Sequence, residues 1–252
     1  MGDVIEFRKE GAVGVLTINN PPANALSFAV VKGIDETVSS CMKDKDCSAL
    51  VITGAGRMFV AGADIREFNM IRPDDVPEFH DLINGLEDSP KPIIAAINGI
   101  AFGGGLELSM GCHYRLISPK ALIGQPEVKL GIIPGAGGTQ RLPRLIGIKA
   151  ALEMIVEGEP INAEKALELG AVDEIVKDDL LERAISYAEE RVPDGTRPTS
   201  GITDKIEIVE PTVFEDCRSK IAPKSRGMEA PFECINAVEA SATKLFEEGL
   251  EF

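Results

Sequence analysis

Ile93-Ile94-Ala95-Ala96-Ile97 is a continuous apolar run of strand length, closed by Asn98-Gly99 and followed at once by Phe102-Gly103-Gly104-Gly105-Leu106-Glu107-Leu108. A run of this kind reads as a strand buried on both faces, the habit of sheets covered by helices. Leu106-Glu107-Leu108-Ser109-Met110-Gly111-Cys112 suits a helix better than a strand. Three consecutive glycines therefore stand where a strand hands over to a helix. Backbone N–H groups at such a point are unpaired and carry the positive end of the helix dipole. With no side chains in the way, a ligand oxygen can come close.

Glu107 falls in the first turn of that helix, with Gly103, Gly104, Met110 and Gly111 as its same-face neighbours. A carboxylate among Leu106, Leu108 and Met110 faces a partly dry site, where burial raises its pKa. Two readings are open: an acid that favours a helix N-terminus, or a working carboxylate. Further on come Gly124-Gln125-Pro126-Glu127-Val128 and the glycine-rich stretch Gly131 to Gly138. Pro126 suits the start of a helical turn, and the glycines mark a tight, exposed loop. Two glutamates beside backbone-exposing turns can serve as a general acid and base; alone they are a weak signal.

The earlier chain supplies a second such turn. Val4–Arg8 and Val13–Ile18 read as strands joined at Glu10-Gly11, and Phe28 to Met42 as a helix capped by Ser27. Ala49–Thr53 is a buried strand. In Ala61-Gly62-Ala63-Asp64-Ile65-Arg66-Glu67, the Asp64/Glu67 spacing resembles a capping box, so a helix is expected to start there and present backbone donors from Ala63 onward. Asp64 itself reads as a cap with no ligand contact. Residues 69–90 are irregular and then helical from Glu78, a loop of the type that shapes a site.

Tyr114–Ser118 and Ala121–Ile123 are short strands, and Thr139–Ile146, Lys149–Glu157, Ala163–Leu169 and Leu180–Arg191 are helices. Ala171–Val176 reads as a further strand. Pro193-Asp194-Gly195-Thr196-Arg197-Pro198 breaks the pattern and sets the domain boundary, giving 1–192 as a core and 193–252 as a C-terminal helical region. Within that region Ile206–Lys220 is acidic and poorly periodic, Ala222–Gly227 is another break, and Pro231–Leu250 reads as one helix. No tandem repeat is visible in the residue identities.

Charge and composition narrow the function classes. The net charge of −15 argues against sequence-independent binding to nucleic acid phosphates. No apolar run approaches the roughly 18 residues that span a membrane. Met1-Gly2-Asp3 followed by Glu6 and Arg8 is neither a secretory nor a transit leader, so a soluble intracellular protein is expected. Five cysteines without a CxxC pair fit reduced thiols and offer no zinc spacing, so no metal is expected. The histidines, His80 and His113, read as structural. No GxGxxG opens a helix after a first strand, which excludes a Rossmann oxidoreductase.

The segments Ile97 to Cys112, Gly124 to Leu130, Pro134 to Leu142 and Ala61 to Phe68 together resemble the enoyl-CoA hydratase (crotonase) superfamily. Asn24-Ala25-Leu26-Ser27, Gly111 to Arg115 and Leu142-Pro143-Arg144-Leu145 are most similar to the hydratase half of multifunctional fatty-acid oxidation enzymes. The resemblance implies an α/β fold, a crotonase-like spiral of strand–strand–helix units with a C-terminal helical region that covers the site or packs on a neighbour. It implies that the N–H groups of Ala63 and Gly104 form an oxyanion hole. Glu107 and Glu127 would activate water, Glu107 as base and Glu127 as the donor to C2. Ala23, Ala25, Ala61, Asp64, Ile65 and Arg66 would lie along coenzyme A.

The activity implied is hydration of trans-2-enoyl-CoA in β-oxidation, with no cofactor beyond the coenzyme A of the substrate. The alternatives are a 3,2-enoyl-CoA isomerase using Glu127 alone and a non-catalytic or RNA-binding relative. Because coenzyme A is an anion, Arg57, Arg66 and Lys91 are candidates to attract it. Trimers or pairs of trimers are expected, in the cytoplasm or, in a eukaryote, the peroxisome. The multifunctional relatives continue towards a dehydrogenase module, so the chain is either a separate hydratase or a piece of a longer protein.

Overall fold

The computed structural model describes residues 4–207, 209–210, 212–225 and 227–252. The Met1-Gly2-Asp3 leader reading, and Arg226 within the Ala222–Gly227 break, lie outside these residues. The chain opens with β1 (Ile5–Glu10) and β2 (Val13–Ile18), an antiparallel pair, then α1 (Phe28–Lys43). Val30, Val31, Ile34, Val38 and Cys41 recur at helical spacing and form the buried face of α1, while the Ser27 hydroxyl accepts from Val30 N–H.

A repeating unit follows. β3 (Ala49–Gly54) and β4 (Met58–Val60) precede α2 (Phe79–Glu87), and β5 (Ile93–Ile97) and β6 (Ile100–Phe102) precede α3 (Gly104–Gly111). In the same way β7 (Tyr114–Ile117) and β8 (Leu122–Gly124) precede α4 (Gly138–Ile146). In each unit the first strand joins one sheet and the second joins the other. The six-stranded sheet runs β1-β2-β3-β5-β7-β10, with β10 at Glu174–Ile175, and is parallel from β2 onward. The four-stranded sheet runs β4-β6-β8-β9, with β9 at Ile161–Asn162. This is the strand–strand–helix spiral. Its repeat is one of topology, which is why residue identities do not show it.

β5 is buried along its whole length, as its unbroken apolar run requires. One face of the larger sheet is covered by α7 (Leu180–Arg191) through Leu180, Ala184 and Ala188. The other faces the main core, to which α5 (Ile148–Glu157), α6 (Ala163–Leu169) and the C-terminal helices contribute. The C-terminal helices are α8 (Val213–Ile221), α9 (Ala230–Thr243) and α10 (Phe246–Leu250). α9 packs on α4 and α5 with Cys234, Ile235 and Val238 fully buried.

Four expectations are corrected. The hairpin turns at Gly11-Ala12, because Glu10 still pairs with Val13. The strand expected over Ala171–Val176 shrinks to β10: Ala171 N–H bonds to Ala166 O and so closes α6. The helix expected over Pro231–Leu250 is two, since Lys244 adopts an extended backbone (φ −123°, ψ 163°) and α10 restarts with Glu248 accepting from Leu245 N–H. The thiols are not all reduced: the loop from α1 to β3 joins Cys41 and Cys47 in a disulfide, Cα atoms 6.1 Å apart, while Cys112, Cys217 and Cys234 are free.

Candidate active site

The hand-over from β6 to α3 begins at Gly103, whose φ of +52° suits glycine. A Cβ there would stand 2.9 Å from Glu127 Oε1, so absence of a side chain also makes room for that carboxyl. Gly103 N–H is tied to Gly124 O at 2.9 Å, fixing the strand end. Gly104 then opens α3, and among the described residues its N–H has no hydrogen-bond partner. A Cβ on Gly104 would lie 3.6 Å from Ala63 N, which puts the two backbone amides at one spot.

Ala63 is held there by an isolated parallel bridge to Leu26. Leu26 N–H bonds to Gly62 O (2.9 Å) and Asp64 N–H to Leu26 O (3.1 Å), a register that leaves the Ala63 N–H free. Ala61 N–H bonds to Ala23 O (3.1 Å), so Ala23, Ala25, Ala61, Ala63 and Asp64 are brought together along two adjoining segments. Asn24, in the left-handed region at φ 50°, pins this loop: its amide donates to Ala55 O and Met58 O. Nothing in the local sequence singles out Asn24 for that task beyond asparagine's tolerance of positive φ.

The helix expected from Asp64 is a single 3-10 turn, Ile65–Glu67. Asp64 does accept from Arg66 N–H, but the Glu67 carboxylate turns instead to Phe28 N–H at 2.6 Å, so no capping box closes. The buried Asp64 carboxylate also pairs with the exposed Arg66 guanidinium at 2.6 Å, which holds the Asp64 pKa below its usual value. Ile65 is largely exposed. Of the cations proposed to attract an anion, Arg57 is exposed. Lys91 is not available, because its ammonium is spent on Cys41 O and Asp44 O.

Glu107 is 2 % exposed, and its Oε1 accepts N–H groups from Ala136 and Gly138, each at 2.8 Å. The glycine-rich loop is thus the cradle of Glu107. Glu127 starts a 3-10 turn after Pro126. The fully buried Gln125 amide, with its nitrogen oriented toward Glu127, donates to Oε1 at 3.0 Å. Burial, and then the Glu107 charge, push the Glu127 carboxyl up to about 8. Burial raises Glu107 too, opposed by the Gly138 and Ala136 N–H groups and by Arg141. Those opposing groups favour an ionised Glu107, and that charge is one of the causes that hold Glu127 up.

A cavity of about 280 Å³ opens beside Ala63. Leu26, Phe28, Val31, Met70, Val76 and Phe79 give it an apolar wall, drawn partly from the irregular segment after Phe68. A larger cavity, about 570 Å³, lies between α5, α6 and residues near Lys205, away from both glutamates. Lys205 there is already committed to Leu145 O and Leu169 O; of the two cavities, only the smaller is lined by Ala63, and neither is lined by Glu107 or Glu127. His113 is structural: Nδ1 accepts from Ile93 N–H at 2.9 Å, leaving Nε2 to donate to Glu87 O at 3.1 Å. Gln125 and Arg141 went unread in the sequence, because nothing local distinguishes a buried polar side chain from an exposed one.

The family described as Enoyl-CoA hydratase/isomerase matches residues 8–204. The "Peroxisomal bifunctional enzyme" of Danio rerio is 43% identical over 242 residues, covering 95% of this chain and 33% of that protein. The chain thus spans about a third of the length of that relative. The "Probable enoyl-CoA hydratase" of Bacillus subtilis is 46% identical over 193 residues, 74% of this chain and 75% of that protein. The solved enoyl-CoA hydratase of Bacillus anthracis superposes with a TM-score of 0.71 at 32% identity, covering 96% of this chain and 97% of that one.

Proposed function

Because the chain belongs to the enoyl-CoA hydratase/isomerase family, we propose that it adds water reversibly across the 2,3 double bond of a trans-2-enoyl-CoA, giving the 3-hydroxyacyl-CoA of fatty-acid β-oxidation. The observation that carries this reading is a pair of carboxyls, both raised by burial, beside two backbone amides without a partner among the described residues.

In the proposed reaction the thioester oxygen sits against Ala63 N–H and Gly104 N–H, which stabilise the charge that develops on it. One such donor is worth about 2.7–4 kcal/mol in the transition state. Glu107, with Oε1 held by Ala136 and Gly138, takes a proton from water as the oxygen bonds to C3. Glu127 delivers its proton to C2. Product release leaves Glu107 protonated and Glu127 ionised, and proton exchange with solvent resets the pair. Coenzyme A is expected along Ala23, Ala25, Ala61, Asp64, Ile65 and Arg66, with the acyl chain in the cavity walled by Phe28, Met70 and Phe79. The reaction so drawn uses no resident cofactor and no metal.

A second reading is favoured by Glu127 itself. A carboxyl near 8 is available in both protonation states around neutrality, so Glu127 can shuttle a proton between C2 and C4 as a 3,2-enoyl-CoA isomerase. Purified protein with crotonyl-CoA tests the first reading: the conjugated-thioester absorbance is expected to fall, and Glu107→Gln and Glu127→Gln to slow this by orders of magnitude. A wild type inert on 2-enoyl-CoA that converts 3-enoyl-CoA selects the isomerase instead.

The assembly we propose is a homotrimer or a pair of trimers. Ile65, Phe68, Met70 and Ile71 on one loop and Leu130 and Ile132 on another are exposed apolar groups of the type interfaces cover. A lone 26.9 kDa species in sedimentation overturns it. The compartment proposed is the cytoplasm of a bacterium or the peroxisome of a eukaryote. Among the described residues no helix is long and apolar enough to cross a membrane.

A further inference from the structure

Behind Glu107 lies a second charge, that of Arg141 on α4, which is completely buried. Its Nη2 and Nε donate to Glu87 Oε2 at 2.6 and 3.1 Å, and Nη2 also donates to Asn84 Oδ1 at 2.7 Å. The third nitrogen, Nη1, reaches Ala136 O at 3.3 Å. Ala136 is the residue whose own N–H holds Glu107. The other Glu87 oxygen is anchored by Ser200 N–H at 2.6 Å, so α2, α4 and the segment after α7 meet on one ion pair. From the far side the Phe246 ring of α10 covers the guanidinium, 4.9 Å from its carbon to the ring centroid. Gly137 packs directly on it: a Cβ there would lie within contact of Nη1.

We propose that Arg141 is a positioning residue: braced by Glu87, it clamps the 136–138 loop against Glu107 and supplies the positive field that makes Glu107, of the two site glutamates, the base. This rests on the hydration reading. A purely stabilising role is a poor account of the pair, because a buried ion pair is weak evidence for stability and apolar replacements of equal volume often do as well. The contact chain from Glu87 through Arg141 and Ala136 to Glu107 gives the pair a direct route to the reacting carboxylate.

The other ionisable groups around it are accounted for. Glu127 shares the site, and Lys129 on the same turn pairs outward with Glu159. On α4, Arg144 also lies over the Phe246 ring and donates to Gln140 O. Cys234 on α9 is held protonated by burial, at about 12, and His113 beside Glu87 O is neutral above about 4. His80, Asp81 and Asp88 at α2 and Glu247 and Glu248 on α10 are exposed, and β4 and β6 carry no ionisable side chain.

The test is the pH dependence of kcat/KM on crotonyl-CoA for wild type, Arg141→Met, Arg141→Lys and Glu87→Gln, with thermal melts alongside. Removing the positive charge makes Glu107 harder to ionise, so Arg141→Met is expected to move the acid limb up by about one pH unit. Its kcat falls tenfold or more while KM changes little. Arg141→Lys restores the wild-type limb but only part of kcat, since it keeps the charge without the fork. Glu87→Gln leaves the Arg141 charge unbalanced and moves the limb down. Opposite shifts from the two ends of one pair are the signature, because simple loosening of the fold would displace both limbs alike or neither. An active wild type whose limb is unmoved in Arg141→Met and Glu87→Gln, or moves the same way in both, overturns this inference alone. An inert wild type overturns the hydration reading and this inference with it. Should Arg141→Met fail to fold, Glu87→Gln decides: its acid limb moves down while that of Arg141→Lys stays with wild type, and a Glu87→Gln limb that does not move down overturns the inference.

Discussion

Gly138 donates its N–H to Glu107 Oε1 at 2.8 Å, and a Cβ on Gly138 would stand 2.9 Å from that same oxygen. Donor and carboxylate therefore meet only because residue 138 has no side chain. The same Cβ would also stand within 3.0 Å of the Gln125 amide group, so the neighbouring groups leave it no room on either side.

Gly138→Ala is expected to push the loop off Glu107 and weaken a charge-assisted hydrogen bond worth about 1.5–3 kcal/mol. At about 1.4 kcal/mol per factor of ten, kcat for crotonyl-CoA hydration falls roughly 10- to 100-fold with little change in KM. Steady-state kinetics beside a thermal melt decide it. Unchanged kcat in a folded variant would show that Oε1 needs no second donor.

The pH profile should report the order of the two ionisations. Hydration as proposed needs Glu107 ionised and Glu127 protonated. With the Glu127 carboxyl pushed up to about 8, kcat/KM falls above about pH 8 as that proton is lost. Burial is the larger cause and the Glu107 charge the second. In Glu107→Gln, infrared titration of Glu127 should therefore give a value lower than in wild type yet still above the ordinary 4.5. A Glu127 value unmoved by that substitution would mean the two carboxyls do not sense each other.

The difference between what the sequence disclosed and what it hid follows from the range of the interactions. Ile93–Ile97 and the glycines after it predicted a buried strand feeding a helix, and β5, β6 and α3 form there because burial and backbone freedom are local properties. Leu180–Arg191 was legible to the residue from its amphipathic period. Asp64 to Glu67 misled, because Glu67 found Phe28 N–H, 39 positions away, in place of its own turn. The partners of Glu107 were equally hidden: Ala136 and Gly138 lie 29 and 31 positions on. That the 131–138 glycines form a tight loop was readable, but not which carboxylate the loop holds.

His113 should set part of the acid stability. Burial lowers its pKa from 6.5 to about 4, so between those values the unfolded chain binds a proton that the native state refuses. The contribution is complete above about pH 6.5 and is lost as pH falls toward 4, up to about 3 kcal/mol at 1.36 kcal/mol per unit. Protonating Nδ1 would also set two donors, it and Ile93 N–H, against each other. Denaturant melts from pH 7 to 4 are expected to show this loss in wild type and a shallower one in His113→Gln, which starts less stable at pH 7. Parallel slopes for the two proteins would assign the acid loss to other groups.

Glu127 works in the opposite direction, and that makes a sharper test of the site. Its folded value, about 8, stands above the ordinary 4.5, so its contribution to stability is full below about 4.5 and is lost as pH rises through 8. The physical cause is that an ionised Glu127 would sit partly buried beside ionised Glu107. Glutamine has the same shape, still meets the Gln125 amide, and never ionises. Glu127→Gln should therefore match wild type in thermal stability near pH 4.5, and exceed it by a margin that grows up to about pH 8 and then levels off, while hydration is abolished. A gain in stability bought by losing the reaction is what a site under electrostatic strain requires. A Tm difference that does not change with pH would mean that Glu127 is ionised at neutrality, and the acid of the proposed reaction would have to be sought elsewhere.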